Sequence, residues 1–445
     1  MDYSVALERI ERLRERFPEK GLFAEKEWLI SPQPFLISAA FADELERLGH
    51  WLLKFVKASN LLYQLSVKGK QPPWIAGYLD AGKPAELVGI SRKYRYEIPQ
   101  VIRPDIILTD SGYAISELDS VPGGIGLTGW LNQTYRDLGF DVLGGGDGMI
   151  NGFRSILPSG VIAVSKESET YRPEMEWLCE QLTARFGPHW SVTEAETWDF
   201  RSPEPLYRFF EMFDLPNLPS RGSLMKAAES GELRMTPPVK AYLEEKLWFG
   251  LFWSRPLQRF WQRELRSSHW RKLKSMIPQT WVIDPAPVPH HAVIPSLEIQ
   301  DWRELKKFSQ KQRAYVLKVS GFSELAWGSR GVFVGQDLPQ REWADSIEQA
   351  LSSFSSGPFI LQKFFKGRLV KQPYYNPATQ SIETLVGRVR LCPYYFVLSD
   401  NEVQLGGALA TIVPADKKIV HGMRDAIMVP TAIEWPTPQR GIGKE

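Results

Sequence analysis

Apolar residues at the start of the chain recur at helical spacing, which predicts mostly helical structure over residues 1–70. The clearest stretch is 41–65, FADELERLGHWLLKFVKASNLLYQL, which has one apolar face. From residue 160 the pattern alternates: GVIAVS predicts a strand, 173–186 a helix, WSVTEAE a strand and 203–213 a helix. Strands that alternate with helices indicate a small α/β unit with a parallel sheet.

Residues 237–265 form a strongly apolar stretch of helical character, which Pro256 should kink or divide. From 314 to 430 strand patterns dominate, and they enclose one helix near 341–354. The predicted strands here are YVLKVS, GVFVG, PFILQKFF, GRVRLCPYYFVLS and VQLGGALATIVP. The chain is therefore predicted to be an α+β protein with three parts, at residues 1–155, 156–235 and 236–445.

The composition is that of a soluble globular protein, with 43% hydrophobic and 24% charged residues in a chain of 445. The 54 basic and 52 acidic residues nearly cancel, so net charge gives no argument for a nucleic-acid or anionic-membrane partner. No apolar run approaches the roughly 20 residues that span a bilayer. Cys179 and Cys392 offer at most one disulfide and no metal-ligand spacing, which suits a reducing compartment. We expect a cytoplasmic protein that binds neither nucleic acid nor membranes.

The most informative chemical pattern lies in residues 103–124, RPDIILTDSGYAISELDSVPGG. Two apolar runs flank an Asp-Ser-Gly turn, which predicts a β-hairpin. Glu117 and Asp119 share one face of the second strand, and Asp105 on the partner strand can project beside them. Three carboxylates on one face repel one another unless a cation lies between them, and Mg²⁺ prefers such oxygen ligands. A solvated acidic face is the alternative interpretation.

A lysine precedes a glycine-rich loop in residues 315–334, YVLKVSGFSELAWGSRGVFV. Lys318 lies on a predicted strand, and the loop contains Gly328, Ser329 and Gly331. Glycines allow backbone N–H groups to approach phosphate oxygens, and an adjacent lysine adds a positive charge. The order differs from the GxxxxGK[ST] loop, because the lysine precedes the glycines and no helix follows at once. Taken alone, the arrangement fits a nucleotide site and also an ordinary hairpin.

Gln362 and Lys363 end the predicted strand PFILQKFF. The end of a strand can present backbone N–H and C=O groups to an adenine edge, with aromatic neighbours over the ring. A buried strand that simply reaches the surface is the alternative interpretation. Lys246, within Glu244-Glu245-Lys246-Leu247, is by default one more charge on the solvated side of a helix.

Together these segments resemble the ATP-grasp superfamily. Its usual order is a helix with a lysine, a Pro-containing turn, a strand with a second lysine, a glycine-rich loop, a hinge strand, a strand with arginine and finally a metal motif. The corresponding segments here follow that order: Lys246, Ile277-Pro278-Gln279-Thr280, Lys318, the 321–331 loop, Gln362-Lys363 and Arg388 or Arg390. The metal motif, however, comes first, which indicates a circular permutation of the kind that domains with neighbouring termini tolerate.

Within that superfamily the chain is similar to the synthetase domain of glutathionylspermidine synthase and its uncharacterised relatives. That group has Arg-x-Asp, twelve residues and then Glu-x-Asn, and Glu117 likewise follows Asp105 by twelve residues. The resemblance covers roughly residues 100–125 and 235–430. It implies a circularly permuted ATP-grasp fold, with a small α/β pre-ATP-grasp unit at 156–235 and a helical N-terminal region.

The resemblance also implies a role for each matching residue: metal ligands (Asp105, Glu117, Asp119), phosphate ligands (Lys246, Lys318), a lid over the phosphates (Gly328, Ser329, Gly331), neighbours of the adenine (Gln362, Lys363) and charge stabilisers at the transferred phosphate (Arg103, Arg390). The family usually has Asn at the position of Asp119. Both residues offer hard oxygen ligands, so metal binding is retained in principle, while the extra charge adds repulsion towards a triphosphate. SVPGG follows Asp119 where the family has a sequence of the Asp-Thr-Pro-Thr type, a departure that bears on the substrate and not on the nucleotide.

The implied activity is that of an ATP-dependent carbon–nitrogen ligase, which joins a carboxylate to an amine through an acyl phosphate. Mg²⁺, as two ions, would be the cofactor and ATP the co-substrate. The expected substrates are small carboxylates and amines of the amino-acid, peptide or polyamine type. Two alternatives remain open: a nucleotide-binding sensor or partner subunit without ligase activity, and a phosphotransferase that releases a stable phosphorylated product.

Overall fold

The computed structural model describes residues 2–18, 28–202, 204–289, 292–326, 330–417 and 425–435. Within these ranges the chain forms fifteen strands in three sheets, β1 to β15 in chain order, and twelve α-helices, α1 to α12. The prediction of an α+β protein is confirmed. None of the helices in this part of the chain combines the length and the apolar character needed to cross a bilayer.

The largest sheet has seven strands. They are β1 (Phe35–Ser38), β2 (Val101–Thr109), β3 (Gly112–Asp119), β12 (Leu369–Asn376), β13 (Ser381–Val397), β14 (Val403–Pro414) and β15 (Ile427–Glu434). The order is β1-β15-β14-β13-β2-β3, with β12 also paired to β13, and only the β1–β15 pair is parallel among these described strands. Because β2 pairs with β13, the predicted hairpin lies in one sheet with strands from the end of the chain.

Four helices cover this sheet: α1 (Tyr3–Glu15), α2 (Ala39–Val67), α5 (Ile125–Asp137) and α6 (Gly148–Ile156). The Ser38 hydroxyl caps α2 by accepting the N–H of Phe41 (3.3 Å). The Tyr395 hydroxyl on β13 donates to the carbonyl of Leu45 (2.6 Å), which fixes α2 on the sheet. The prediction of helix throughout 1–70 was wrong at β1, because this four-residue strand is too short to show a period of its own.

The second sheet is parallel throughout, in the order β5-β4-β6-β7, as predicted. Its elements are β4 (Gly160–Val164), β5 (Trp190–Glu194), β6 (Leu206–Phe209), β7 (Met235–Thr236), α7 (Arg172–Phe186) and α8 (Arg221–Ser230). The helix predicted at 203–213 was wrong, because β6 and the 3₁₀ helix Met212–Asn217 occupy this stretch. All four residues of β6 are buried, and a strand that is buried on both faces has no alternating pattern to reveal it.

The third sheet is antiparallel, in the order β10-β9-β11-β8. Its elements are β8 (Thr280–Val282), β9 (Tyr315–Val319), β10 (Val332–Val334), β11 (Phe359–Lys363) and α12 (Gln340–Ser352). α12 packs the fully buried Trp343 and Ile347 against the sheet. Gly328 and Ser329, which belong to the predicted lid between β9 and β10, lie outside the described residues.

The remaining helices connect the sheets: α3 (Pro73–Asp80), α4 (Ala85–Lys93), α9 (Leu247–Trp253), α10 (Gln258–Leu265) and α11 (Ser267–Met276). The apolar stretch at 237–265 is divided around Pro256, as predicted, because α9 ends at Trp253 and the 3₁₀ turn Arg255–Leu257 precedes α10. α9 packs on β8 and starts directly after Lys246.

Candidate functional site

The β2–β3 hairpin brings four charged residues to one face of the large sheet. Arg103 lies opposite Asp119, and Asp105 lies opposite Glu117 in the antiparallel register. Residues two apart on a strand point to the same side, so the three carboxylates and the arginine project together. A register shift between Asp105 and Ile106 distorts the pairing at this point. The hairpin and its shared face agree with the sequence pattern.

Two arginines neutralise the aspartates of the hairpin. Arg103 Nε donates to Asp105 Oδ1 (3.1 Å), and Arg103 Nη2 contacts Asp119 Oδ2 (2.9 Å). Arg390 Nη1 on β13 donates to Asp105 Oδ2 (3.0 Å). Burial opposes ionisation of Asp105, but Arg103 and Arg390 outweigh it and lower the pKa of this carboxyl. At Asp119 burial prevails and raises the pKa, although Arg103 opposes the change.

The two arginines differ in which nitrogens of their guanidinium groups have a hydrogen-bond partner. Arg103 also donates from Nη1 to the carbonyl of Gly123 (3.2 Å), so all three of its nitrogens are engaged. Arg390 Nε is buried and has no hydrogen-bond partner among the residues that the structure describes. A buried N–H group without a partner costs folding free energy, and it can donate to an anionic group of a bound ligand.

Two lysines from distant parts of the chain reach adjacent residues of β3. Lys246 Nζ forms an ion pair with Glu117 Oε1 (2.8 Å). Lys318 Nζ on β9 donates to the carbonyl of Ser116 (3.0 Å) and to Gln362 Oε1 (3.0 Å). Burial lowers the pKa of Lys318, whereas at Lys246 the effect of burial is outweighed by Glu117 and the pKa is raised. The interpretation of Lys246 as a solvated helix charge was wrong, because its side chain is only 11% exposed.

Gln362 and Lys363 have different surroundings. Gln362 is buried. Its Oε1 accepts a hydrogen bond from Lys318 Nζ, and its Nε2 donates to the Thr280 hydroxyl (3.3 Å), so the amide orients the lysine. The exposed Lys363 lines a cleft of about 800 Å³. The same cleft is bordered by Leu108 and Ala114 of the hairpin. Of the two predicted neighbours of the adenine, Lys363 borders a cavity large enough for a nucleoside, whereas Gln362 is buried against Lys318.

Gly331 is explained by close packing. Its N–H donates to the carbonyl of Leu325 (2.7 Å) and its carbonyl accepts the N–H of Val319 (3.1 Å). A Cβ at this position would lie 2.7 Å from both the Leu325 carbonyl oxygen and Val319 Cγ1, so only glycine fits. In this arrangement its N–H is used within the loop. The roles predicted for Gly328 and Ser329 fall on residues that the structure does not describe.

Two carboxylates that the sequence did not reveal lie beside the site: Glu244, at the end of the 3₁₀ helix Ala241–Glu244, and Glu211, just after β6. Glu244 pairs with the fully buried Arg208 and accepts the N–H of Met212 (2.9 Å). Glu211 follows β6, where burial and repulsion from Glu244 and Asp119 raise the pKa to about 8. The wrong helix at 203–213 concealed Glu211, since a residue just after the carboxyl end of a parallel strand would have been a site candidate.

In chemical type the hairpin carboxylates fit Mg²⁺. They are hard oxygen ligands on one face, and the raised pKa of Glu211 indicates an excess of negative charge beside them. In the described ranges, however, no three His, Cys, Asp or Glu residues are grouped closely enough to hold a metal ion. The counter-charges are protein cations instead, so the ion pairs of Arg103 and Lys246 would have to open before the carboxylates could converge on one ion.

No family model matches the sequence, and no curated protein matches it. Among solved structures, a glutathione synthetase-like effector (GSS30) from Globodera pallida in its apo form matches over 97% of this chain and 96% of that chain, at 12% identity and a TM-score of 0.54. This chain has a glutathione synthetase-like fold. A protein provisionally named gamma-glutamylcysteine synthetase from Methylobacillus flagellatus KT matches over 84% of this chain and 87% of that chain, at 12% identity and a TM-score of 0.41.

The glutathione synthetase-like fold extends over nearly the whole chain, so all three sheets belong to the shared architecture. At this identity the likeness concerns the fold, and the chemistry has to be argued from the site itself. The circular permutation of an ATP-grasp core and the closer similarity to glutathionylspermidine synthase remain predictions.

Within this fold, replacing Glu211 with Gln is expected to change how stability depends on pH. A carboxyl whose pKa is about 8 in the folded state and about 4.3 when unfolded costs stability as the pH rises between these values. The wild type should therefore lose thermal stability from pH 5 to pH 8, and Glu211→Gln should lose less. Thermal unfolding in EDTA at both pH values tests this, with the exposed Glu204→Gln as the control. Equal losses in all three proteins would contradict the pKa assigned to Glu211.

Proposed function

We propose that this chain is an ATP- and Mg²⁺-dependent carbon–nitrogen ligase that joins a small carboxylate to an amine through an acyl phosphate. The observation that carries the proposal is the convergence of Lys246 and Lys318 on Glu117 and Ser116 of the carboxylate hairpin. A buried lysine on β9 and a nearly buried lysine at the start of α9, next to a row of carboxylates, provide the charges that a metal-bound triphosphate requires. The glutathione synthetase-like fold supports the same class of reaction.

The nucleoside would occupy the cleft of about 800 Å³ that Lys363 lines. Ala114 lines that cleft, and Glu117 contacts Lys246. The two residues are three positions apart on β3, which separates them by about 10 Å. One extended nucleotide can therefore place its base in the cleft and its phosphates at Lys246 and Lys318. We assign Gln362 a different role from the predicted one: it holds Lys318 in place by accepting a hydrogen bond from its ammonium group.

Asp105, Glu117 and Asp119 would hold Mg²⁺, which when bound supplies charge neutralisation at the β- and γ-phosphates. Lys246 and Lys318 would bind the phosphate oxygens, and Arg390 Nε would donate to the phosphoryl group as it is transferred. The carboxylate substrate would attack the γ-phosphorus and release ADP. The amine would then attack the acyl phosphate and expel phosphate. Arg103, whose ion pairs with Asp105 and Asp119 would open when the metal binds, would then face the transferred phosphate.

ADP release by the purified chain tests the proposal. The assay contains Mg·ATP with glutamate, cysteine, glycine, their dipeptides and polyamines, offered in pairs of one carboxylate and one amine. We expect ADP release that depends on one pair and a stoichiometric amide product in mass spectrometry. Glu117→Gln should lower turnover at least about tenfold by removing the partner of Lys246 and an oxygen ligand.

The exposed Glu298→Gln serves as the matched control and should leave turnover unchanged. Tight binding of Mg·ATP without ADP release for any pair would contradict ligase activity and support the nucleotide-binding alternative. A stable phosphorylated product without amide would indicate a phosphotransferase.

A further inference from the structure

A buried ion pair lies next to the two lysines and has no part in the proposed chemistry. Lys83, in the turn between α3 and α4, pairs with Glu245, and the two side chains are only 2% and 1% exposed. Glu245 directly precedes Lys246 in the chain. Ser320, which follows Lys318 by two residues, donates its hydroxyl hydrogen to the other oxygen of Glu245. The ion pair is therefore connected to both lysine-bearing segments.

Ser320 ties those two segments together through the backbone. Its carbonyl accepts the N–H of Lys246 (3.0 Å), and its hydroxyl oxygen accepts the N–H of Leu247 (2.9 Å). Its own N–H donates to the carbonyl of Pro358 (2.9 Å), and the residue is fully buried. The start of α9 is thus fixed to the end of β9, so the spacing between Lys246 and Lys318 depends on Ser320 and on the carboxylate that it contacts.

The same group lies beneath the start of the loop that follows β9. A Cβ at Gly321 would lie 2.9 Å from Glu245 Cδ, so no larger residue fits there without displacing the carboxylate. Phe322 has a φ of 32°, a conformation that a non-glycine residue rarely adopts. Lys83 Nζ lies 5.5 Å from the centroid of the Phe322 ring. Lys83 and Glu245 therefore also hold the backbone at which the predicted lid begins.

We propose that Lys83, Glu245 and Ser320 form a positioning unit that sets the spacing of Lys246 and Lys318 for nucleotide phosphates and keeps the Glu245 charge neutralised beside them. None of the three contacts ATP; each acts through the lysines, and the proposal rests on the proposed nucleotide site. If Lys83 were absent, the Glu245 carboxylate would be buried and unpaired beside Lys246. The segment that carries Glu245 and Lys246 would then move to expose the carboxylate, and the spacing between Lys246 and Lys318 would change.

Calorimetric binding of a non-hydrolysable ATP analogue with Mg²⁺ tests this proposal in the full chain. Lys83→Met should raise the Kd about tenfold, equivalent to about 1.4 kcal/mol, because it leaves the carboxylate uncompensated. The double variant Lys83→Met/Glu245→Gln should return the Kd to within about threefold of the wild type, since the charge and its counter-charge are then both removed. Ser320→Ala keeps the ion pair but loses the hydroxyl, and should raise the Kd about threefold.

Lys93→Met is the matched control, because Lys93 forms an exposed ion pair with Glu229 on the surface. The Kd of this variant for the ATP analogue should equal that of the wild type.

Thermal unfolding of every variant distinguishes an effect on binding from an effect on folding. A purely structural role would lower the melting temperature and leave the Kd of the folded protein unchanged, which would overturn the proposal. A double variant as weak as Lys83→Met would overturn it as well. If Lys83→Met does not fold, Ser320→Ala decides, because a Kd equal to that of the wild type in this variant would overturn the proposal. Absence of binding by the wild type would instead contradict the proposed nucleotide site.

Discussion

Replacement of Lys318 with Met is expected to lower kcat/KM for ATP by about 100-fold or more while leaving the protein as stable as the wild type. Lys318 is buried, and burial lowers its pKa, so the fold keeps a charge that is costly to hold. Methionine fills a similar volume without the buried charge, and this gain offsets the loss of the hydrogen bonds to Ser116 and Gln362. A substitution that removes activity and spares stability is typical of a functional residue rather than a structural one.

Steady-state ADP release and thermal unfolding measure the two effects on the same preparations. The control is Lys311→Met, in the exposed turn before β9, which should change neither quantity. An ATP turnover equal to that of the wild type in Lys318→Met would show that Lys318 is not a phosphate ligand. A large loss of stability together with a loss of activity would assign Lys318 a structural role.

Replacement of Asp105 with Asn should lower the free energy of unfolding by about 3–5 kcal/mol, because it removes one partner from a buried ionic network. The side chain is 9% exposed, and it is the counter-ion that Arg103 and Arg390 share. Asparagine keeps the shape and removes the charge, so Arg103 would be left with Asp119, and Arg390 would lose the carboxylate with which it forms an ion pair. Urea unfolding at pH 7 measures the change, with Asp400→Asn, which is 95% exposed, as the control.

The pH dependence of this difference tests its electrostatic origin. The pKa of Asp105 is lowered in the folded state, so its contribution is fully present above the unfolded value of about 3.9 and is lost as the pH falls through the folded value. The stability difference between wild type and Asp105→Asn should therefore be constant from pH 5 to pH 8 and should shrink below about pH 4. A difference that persisted unchanged at pH 2 would contradict this explanation.

Patterns that depend on neighbouring residues were predicted well. The hairpin at 103–119, the strand that carries Lys318 and the parallel sheet after residue 160 are all present. Each shows an alternation of apolar and polar residues, or a run of β-branched residues, that is visible within one short segment of the sequence. The errors at β1 and β6 concern strands of four residues, which are too short to display a period and owe their structure to the strands beside them.

The chemistry of the site was predicted in part, for the same reason. Lys318 stood out because a strand lysine before glycines can be recognised locally. Glu211 did not, since its importance comes from burial beside carboxylates that are distant in the chain. Lys246 has an unremarkable local sequence: the family resemblance pointed to it, and its contact with Glu117 brings it to the hairpin.

The sequence by itself determined that Glu117 and Asp119 share a strand face, because the alternation of side chains is a property of the backbone. The register shift between Asp105 and Ile106 then places Asp105 opposite Glu117, on the same face. Only the tertiary structure decided which charges meet them. Arg390 reaches Asp105 from a position 285 residues away, and Lys318 reaches Ser116 from a position 202 residues away. The first contact depends on the pairing of β13 with β2 within one sheet, and the second on how the third sheet packs against the first. Neither strand pairing nor packing between distant parts of the chain is encoded by a single segment.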